Sequence, residues 1–244
     1  MNISYQERLS DSPFVERIWQ TQSTRSSTFT SLAMSNWFIV FWKQHGKANI
    51  AIHGPETRAI NADIPEYAEF LGVVFKHGTF MPDFPIINRV NSEVALPEAS
   101  SQKFWLKGSA WQFPDLENID TFINRLVTNG LLMREPIVDA ALYGQLPDLS
   151  SRSIQRRVLR TTGLTYNTIR QIERARQAVI LLQEGISILD TVFQTSYADQ
   201  AHLTRSFKHF IGQTPAQIAD ISKREQLSFL FKTTNTIVDY DATI

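Results

Sequence analysis

The C-terminal third of the chain contains one local pattern twice, and this repeat constrains the fold more than any other feature. Each copy has a short helical segment, a break, a polar residue suited to begin a helix, and an amphipathic segment. A longer helical segment over residues 165–184 separates the two copies, and Gly185 follows it as a glycine commonly follows a helix. The pattern predicts two helix-turn-helix units joined by one linker helix.

The second unit has the sharper signals. Ser187 is expected to cap a short helix, and Asp199 to cap the next one, over residues 200–211. In that helix Leu203, Phe207 and Phe210 share one face, which must face the core. The opposite face has residue types that read base edges or hold phosphates. They are Gln200, Ala201, Thr204, Arg205 and Lys208. Taken alone, this segment is better explained as a generic amphipathic helix with a polar outer face.

The first unit lies upstream. A short helix is expected over residues 137–146, ended by Pro147 and Asp148. A second helix is expected to follow Ser150 and to run to about residue 161, with Ile154 and Val158 on its inner face. Its outward positions are Ser151, Arg152, Gln155 and Arg156. Two such helices on one rigid scaffold suit successive major-groove segments, about 34 Å apart along one face of a duplex.

The distribution of charge agrees with a polyanionic partner for this region. The whole chain has a formal net charge of zero, but residues 150–212 have 9 Lys and Arg against 4 Asp and Glu, whereas residues 1–149 have 12 against 16. Phosphate affinity depends on local cation density, because each neutralised phosphate releases condensed counterions. A neutral whole protein therefore does not argue against DNA binding, and a merely solvated basic face remains the alternative.

Residues 137–219 resemble the DNA-binding domain of the AraC/XylS family of bacterial transcription regulators. The strongest similarity is in residues 199–208, DQAHLTRSFK, followed by GQTP at residues 212–215. Residues 149–156, LSSRSIQR, are similar to the entry into the family's first recognition helix. Linker positions that agree are Arg174, Ala178, Leu181 and Leu182. The resemblance implies that these outward residues of both helices contact bases. We expect Lys208 and Arg160 to hold phosphates.

Four positions depart from the family pattern. Gly144 and Val192 stand where the first helix of each unit usually has Ala, and Arg157 stands where an apolar side chain is usual. Ser196 replaces the Gly of the turn before the second recognition helix. We expect a left-handed backbone there, at a cost on the order of 1 kcal/mol for a residue with a side chain.

The N-terminal part has a different character. Residues 37–42 are a run of aromatic and β-branched side chains, as in a buried strand. Further short strands are predicted over residues 49–52, 57–60, 70–75 and 93–96. A helix is predicted over residues 116–133, capped by Asp115. Many short strands in one region predict a barrel or a sandwich. Residues 15–19, 54–57 and 71–76 weakly resemble the N-terminal domain of one subgroup of these regulators, which implies effector binding, dimerisation or both.

The sequence offers little for catalysis. There is no Cys, which removes disulfides and cysteine-based zinc sites. His45, His53 and His77 are widely spaced and match no metal-ligand motif. No phosphate-binding loop or nucleophile motif occurs. We therefore predict no catalytic residue, no metal site and no cofactor. The alternative is a cupin-like small-molecule-binding or catalytic barrel with a degenerate helix-turn-helix appendage.

Together these observations predict an α+β protein. A strand-rich regulatory domain is expected over residues 1–134, an all-α DNA-binding domain over residues 135–221, and a tail over residues 222–244. The expected function is sequence-specific transcription regulation, controlled by a small-molecule effector or by dimerisation. The expected partners are double-stranded DNA, an effector, a second copy, and RNA polymerase if the protein is an activator. Because no apolar run reaches the roughly 20 residues of a membrane span, no membrane partner is predicted, and the cytoplasm is the expected location.

Overall fold

The structure is a computed structural model that describes residues 3–145 and 149–220. It has the predicted α+β class: the described strands, one α-helix and a short 3₁₀ helix lie before residue 135, and the other described helices follow it. The strands are β1 (Ile3–Arg8), β2 (Val15–Ser23), β3 (Ser27–Ser31), β4 (Phe38–Gln44), β5 (Lys47–His53), β6 (Ile60–Ile64), β7 (Ala68–Phe75), β8 (Thr79–Phe80), β9 (Glu93–Ala95), β10 (Glu98–Ser100), β11 (Lys103–Leu106), β12 (Ser109–Gln112) and β13 (Met133–Arg134). The helices are α1 (Ile119–Thr128), α2 (Pro136–Leu142), α3 (Ser151–Thr162), α4 (Tyr166–Gln183), α5 (Ile188–Gln194), α6 (Gln200–Phe210) and α7 (Pro215–Ala219), with a short 3₁₀ helix at Ile86–Arg89.

The main sheet of the N-terminal part is antiparallel and has the strand order β1-β2-β7-β4-β5-β9. Smaller sheets are formed by β10-β11-β12, by β3 with β6, and by β8 with β13. Successive side chains of a strand point to opposite faces, and the central strands bury both. One face packs against α1 and β11-β12, while Trp19, Phe38, Val40 and Val74 form a second cluster on the other.

Aromatic side chains hold the first core together. The Trp37 and Phe75 rings stack with centroids 4.0 Å apart, and Trp37 Nε1 donates to the Thr79 carbonyl at 2.7 Å. Phe122 of α1 meets Phe41 edge-on at a centroid distance of 5.6 Å. A buried indole that finds an acceptor for its N–H contributes apolar area without an unsatisfied donor. The aromatic run at residues 37–42 is thus a core strand, as predicted.

Two local predictions in the N-terminal part are wrong. Residues 57–59 are not a strand, and β6 begins only at Ile60. The Thr57 amide donates to Asn91 Oδ1 at 2.7 Å. This side-chain oxygen replaces the backbone carbonyl that would accept from Thr57 in a strand pair.

The helix predicted over residues 116–133 is shorter than expected, because α1 spans Ile119–Thr128 with Asn118 at its N-cap. Asp115 Oδ1 instead accepts the amides of Glu117 and Asn118, in the turn before the helix.

The helices after α1 surround a second apolar core, and two residues of the N-terminal part belong to it. Leu32 and Ala33, which follow β3, are 3% and 0% exposed and pack among the buried side chains of α2, α3, α4 and α6. The strand-rich and helical parts are therefore joined by a shared core. The division at residue 135 remains a prediction, and the tail at 222–244 lies outside the described residues.

Glu56 lies next to this junction. Its backbone pairs with Met34 through two amide-to-carbonyl bonds of 2.8 Å, and its carboxylate accepts the Ser31 hydroxyl at 3.0 Å. Burial raises the pKa of Glu56 from its ordinary value of 4.5 to about 7; the Ser31 hydrogen bond opposes the rise, and the charge of Glu93 adds to it.

The raised pKa of Glu56 predicts a stability that falls with rising pH. The folded state holds this proton up to about pH 7 whereas the unfolded chain releases it near pH 4.5, so the folded state binds more protons in between. We expect this group to lower the free energy of unfolding by on the order of 1–3 kcal/mol across that window. Glu56→Gln should remove this decrease in urea-denaturation series at successive pH values, whereas Glu98→Gln on the exposed surface should keep it. An unchanged pH profile for Glu56→Gln would contradict the assignment.

Candidate nucleic-acid interface

The first helix-turn-helix unit consists of α2 and α3. The Ser150 side chain caps α3 by accepting the Ser153 amide, as predicted, and Gly163 ends the helix with a φ of +75°. Val158 is fully buried and Ile154 packs against the same core. The outward face is open to solvent at each predicted base-reading position. These positions are Ser151, Arg152, Gln155 and Arg156.

The two remaining arginines of α3 lie beside an acidic side chain. Arg157 Nη1 is 2.6 Å from Glu135 Oε2, and Arg160 Nη2 is 3.8 Å from the same oxygen. The Glu135 side chain is only 14% exposed. The ion pair with Glu135 explains how Arg157 is tolerated at a usually apolar position, because the carboxylate neutralises its charge. Glu135 also competes with phosphate for Arg160, a residue that remains a predicted phosphate contact.

The start of the first unit corrects one expectation. The predicted helix over residues 137–146 ends at Leu142, and its predicted break at Pro147 and Asp148 lies outside the described residues. Gly144 therefore does not stand inside a helix in place of Ala. It follows the helix with a φ of +73°, a left-handed conformation that glycine adopts without steric cost.

Helix α4 joins the two units. Thr165 caps it by accepting the Thr168 amide, and Gly185 follows it with a φ of +88°. One stripe of its surface is buried against both units. The stripe comprises Ile169, Ile172, Ala175, Ala178, Val179 and Leu182. Because a helix is stiff, this shared packing sets the position of one recognition helix relative to the other.

The second unit consists of α5 and α6. Ser187 and Asp199 cap these helices by accepting the amides of Asp190 and His202, as predicted. Leu203 and Phe207 are fully buried and Phe210 nearly so, which confirms the predicted inner face.

The outward face of α6 lies on the other side of the helix. Gln200, Ala201, Arg205 and Lys208 are exposed, whereas Thr204 is half-buried and its hydroxyl donates to the Gln200 carbonyl at 2.8 Å. The face therefore combines two cations, a free amide and small groups suited to thymine methyls.

The turn before α6 has the predicted left-handed residue. Ser196 has a φ of +54°. Arg174 of the linker helix supports it: its guanidinium donates to the Ser196 carbonyl at 3.5 Å and lies over the Tyr197 ring, 4.3 Å from its centroid. The Tyr197 hydroxyl is 2.7 Å from Ser206 Oγ in α6, and burial raises the pKa of this phenol. The linker helix thus supports both the turn and the recognition helix after it.

Sequence reasoning missed these supporting contacts. Arg174 agreed with the family pattern, but nothing local indicates that it stacks on Tyr197, 23 positions away. The sequence does not identify Glu135 as the partner of Arg157, although an arginine at a usually apolar position indicates a nearby carboxylate.

Within residues 3–145 and 149–220, no group of three or more His, Asp and Glu side chains is arranged to hold a metal ion. No described helix is long and apolar enough to cross a membrane.

The fold and the two open faces define a tandem helix-turn-helix module. Residues 147–220 match the family model of a helix-turn-helix domain, of the AraC type. The resemblance seen in the residues is thereby confirmed for this segment, which is an AraC-type helix-turn-helix domain.

One curated relative is the HTH-type transcriptional regulator RipA of Corynebacterium diphtheriae, 32% identical over 74 residues. The match covers 30% of this chain and 22% of that relative, so the chain spans less than a quarter of the relative's length. No solved structure matches the chain significantly.

The geometry of the turn predicts that Ser196→Gly stabilises the protein. A side chain in the left-handed region costs on the order of 1 kcal/mol, and glycine removes that cost, offset in part by its greater freedom in the unfolded chain. We expect a gain of about 0.5–1 kcal/mol in the free energy of unfolding, measured by chemical denaturation. Ser151→Gly, in the first turn of α3, is the control and should lower stability. A loss of stability in Ser196→Gly would contradict a net cost of the Ser196 side chain in its left-handed conformation.

Proposed function

We propose that this protein is a sequence-specific DNA-binding transcription regulator. The observation that supports it is the pair of capped helices α3 and α6, held by one linker helix, each with an outward face of Arg, Gln and small polar residues. The AraC-type domain match and the relative named as a transcriptional regulator support the same function.

The residues proposed to contact bases are side chains of the two outward faces with suitable chemistry, all of them exposed except the half-buried Thr204. Arg152, Arg156 and Arg205 offer bidentate donors for guanine, and Gln155 and Gln200 offer an amide for adenine. Ala201 and the Thr204 methyl group are small enough to approach thymine methyls, and the Ser151 hydroxyl can form a single hydrogen bond with a base. Lys208, one turn along α6 from Thr204, is placed for a phosphate, as is Arg160 on α3.

We also propose that the N-terminal part regulates this activity, by binding a small-molecule effector or by dimerisation. A saturable change of Trp fluorescence with an added metabolite would support an effector site, since Trp19 and Trp42 belong to the cluster on one sheet face. A mass that rises with protein concentration, with no response to metabolites, would support dimerisation.

A role in the cytoplasm, with RNA polymerase as partner of an activator, follows from the proposed function. Neither the domain match nor the relative supports catalysis.

Arg205 tests the proposed base contacts. A DNA sequence is first selected from a random duplex pool with the parent protein. Arg205→Ala should then weaken binding to that sequence by about 1–3 kcal/mol and relax discrimination at one base pair, because one bidentate contact is lost. The measurement is binding to the selected sequence and to its single-base-pair variants. Affinity and base preference both equal to those of the parent would show that Arg205 reads no base.

Two controls separate base reading from general electrostatics. Lys208→Ala should weaken binding to all sequences alike and reduce the dependence on salt, because it removes a phosphate contact. Arg25→Ala, an exposed arginine between β2 and β3, should change neither property.

A further inference from the structure

The C-terminal end of the second recognition helix is bonded to the strand-rich part of the chain. The amide of Ala33 donates to the Phe210 carbonyl at 2.8 Å, and the amide of Ala59 donates to the His209 carbonyl at 2.9 Å. The last four carbonyls of a helix have no partner inside the helix. Here two carbonyls at the end of α6 are satisfied by backbone donors from the other part of the chain.

The two donor segments are tied to each other. Residues 30–35 and 56–59, which we call the helix clamp, are joined by the paired backbones of Met34 and Glu56. The amides that bond to the end of α6 therefore belong to two segments that are hydrogen-bonded to each other.

Side chains strengthen the same junction. Arg176 of the linker helix is buried and donates to the Ala33 carbonyl at 3.2 Å. The Ser35 hydroxyl donates to Glu173 of the same helix and lies 2.7 Å from His77 Nε2. The helix clamp thus contacts both the linker helix and the end of α6.

Gly212, just after α6, shows how close the approach is. A Cβ at this position would lie 2.9 Å from Thr30 Cγ2 and 3.1 Å from the Ala59 Cβ. The first distance is too short for carbon atoms without a shift of the neighbour. A glycine is therefore required here for contact with the helix clamp as well as for its φ of +78°.

The strand-rich part also contacts the first unit. The Gly78 amide donates to Asp139 of α2 at 3.1 Å, and the Glu135 amide donates to the Gly78 carbonyl at 2.7 Å. A Cβ on Gly163, at the end of α3, would lie 3.1 Å from the Ile86 carbonyl oxygen. Both recognition helices are therefore held against one body.

These contacts leave the outward faces open. Arg152 and Arg156 on α3, and Gln200 and Arg205 on α6, are exposed while the helix clamp is closed. The closed arrangement consequently presents both faces at once. Holding them in one relative position removes part of the ordering cost of binding two groove segments together.

We propose that the helix clamp is the element through which the strand-rich part sets DNA affinity, and that the closed clamp is the state with high affinity for DNA. This inference rests on the proposed DNA-binding function. An effector or a second copy that shifts residues 30–35 or 56–59 would change affinity without touching DNA.

The test compares two glycines in the full-length protein. Gly212→Asn places a Cβ against the helix clamp, whereas Gly185→Asn has the same kind of left-handed backbone with nothing within 4 Å of its added Cβ. Asn tolerates this backbone better than most residues, so steric pressure is the main difference. Thr30→Ser removes the Cγ2 atom nearest to position 212 and keeps the hydroxyl, which makes it the rescue variant.

Two properties are measured: binding to the DNA sequence selected by the parent, and hydrogen exchange at the amides of Ala33 and Ala59. We expect Gly212→Asn to exchange faster at both amides and to bind about tenfold more weakly than Gly185→Asn, within the usual range of coupling between sites. Adding Thr30→Ser should recover part of both losses. If Gly212→Asn fails to fold, Ser35→Ala against the exposed control Ser109→Ala replaces it, and the same direction is expected.

The outcomes separate the two proposals. A parent that selects and binds no DNA sequence overturns the proposed function and, with it, the role of the helix clamp. A parent that binds, together with a Gly212→Asn variant that exchanges faster yet binds as tightly as Gly185→Asn, overturns the helix clamp alone. Loss of binding that Thr30→Ser does not relieve also overturns it, because the cause then lies inside the helical part.

Discussion

The arrangement of the helical part depends on the buried stripe of α4. Ile172, Ala175 and Ala178 are completely buried, and the two alanines let neighbouring helices approach the linker closely. Each fully buried aliphatic side chain of the stripe, such as Ile172, contributes about 1.5–3 kcal/mol. Because the same helix packs against the first and the second unit, this apolar contact sets the spacing of the two recognition helices. The outward side chains of α3 and α6 keep a fixed position relative to each other because of this packing.

Polar contacts stabilise the ends of the helices that this packing positions. Each recognition helix starts at a side-chain cap, which satisfies amides that the helix leaves free. Two of the four departures from the family pattern have a supporting neighbour: Glu135 for Arg157, and Arg174 of the linker helix for Ser196. The AraC-type helix-turn-helix domain at residues 147–220 therefore keeps its two units with altered local chemistry.

Local features were predictable from the sequence, and contacts between distant residues were not. The caps Ser150, Ser187 and Asp199 act within three residues, so they could be assigned directly, and the inner face of α6 followed from helical periodicity. Strands such as β1 and β10 are stabilised by partners elsewhere in the chain, and their own residues predict little. The same reason hid the role of Ala33, a small apolar residue whose amide bonds to a helix 177 positions later. The proposed base contacts follow from exposed chemistry alone, so they are assigned by residue type rather than by an observed partner.

We propose that the two recognition helices read DNA as one rigid pair. Hydroxyl-radical footprinting of the full-length protein, on a duplex selected from a random pool, measures this. We expect two protected regions on one face of the duplex, with centres ~10–10.5 base pairs apart, corresponding to one helical turn. Arg152→Ala should alter base preference in one region, and Arg205→Ala in the other. A single protected region, or protection with no sequence preference, would contradict it.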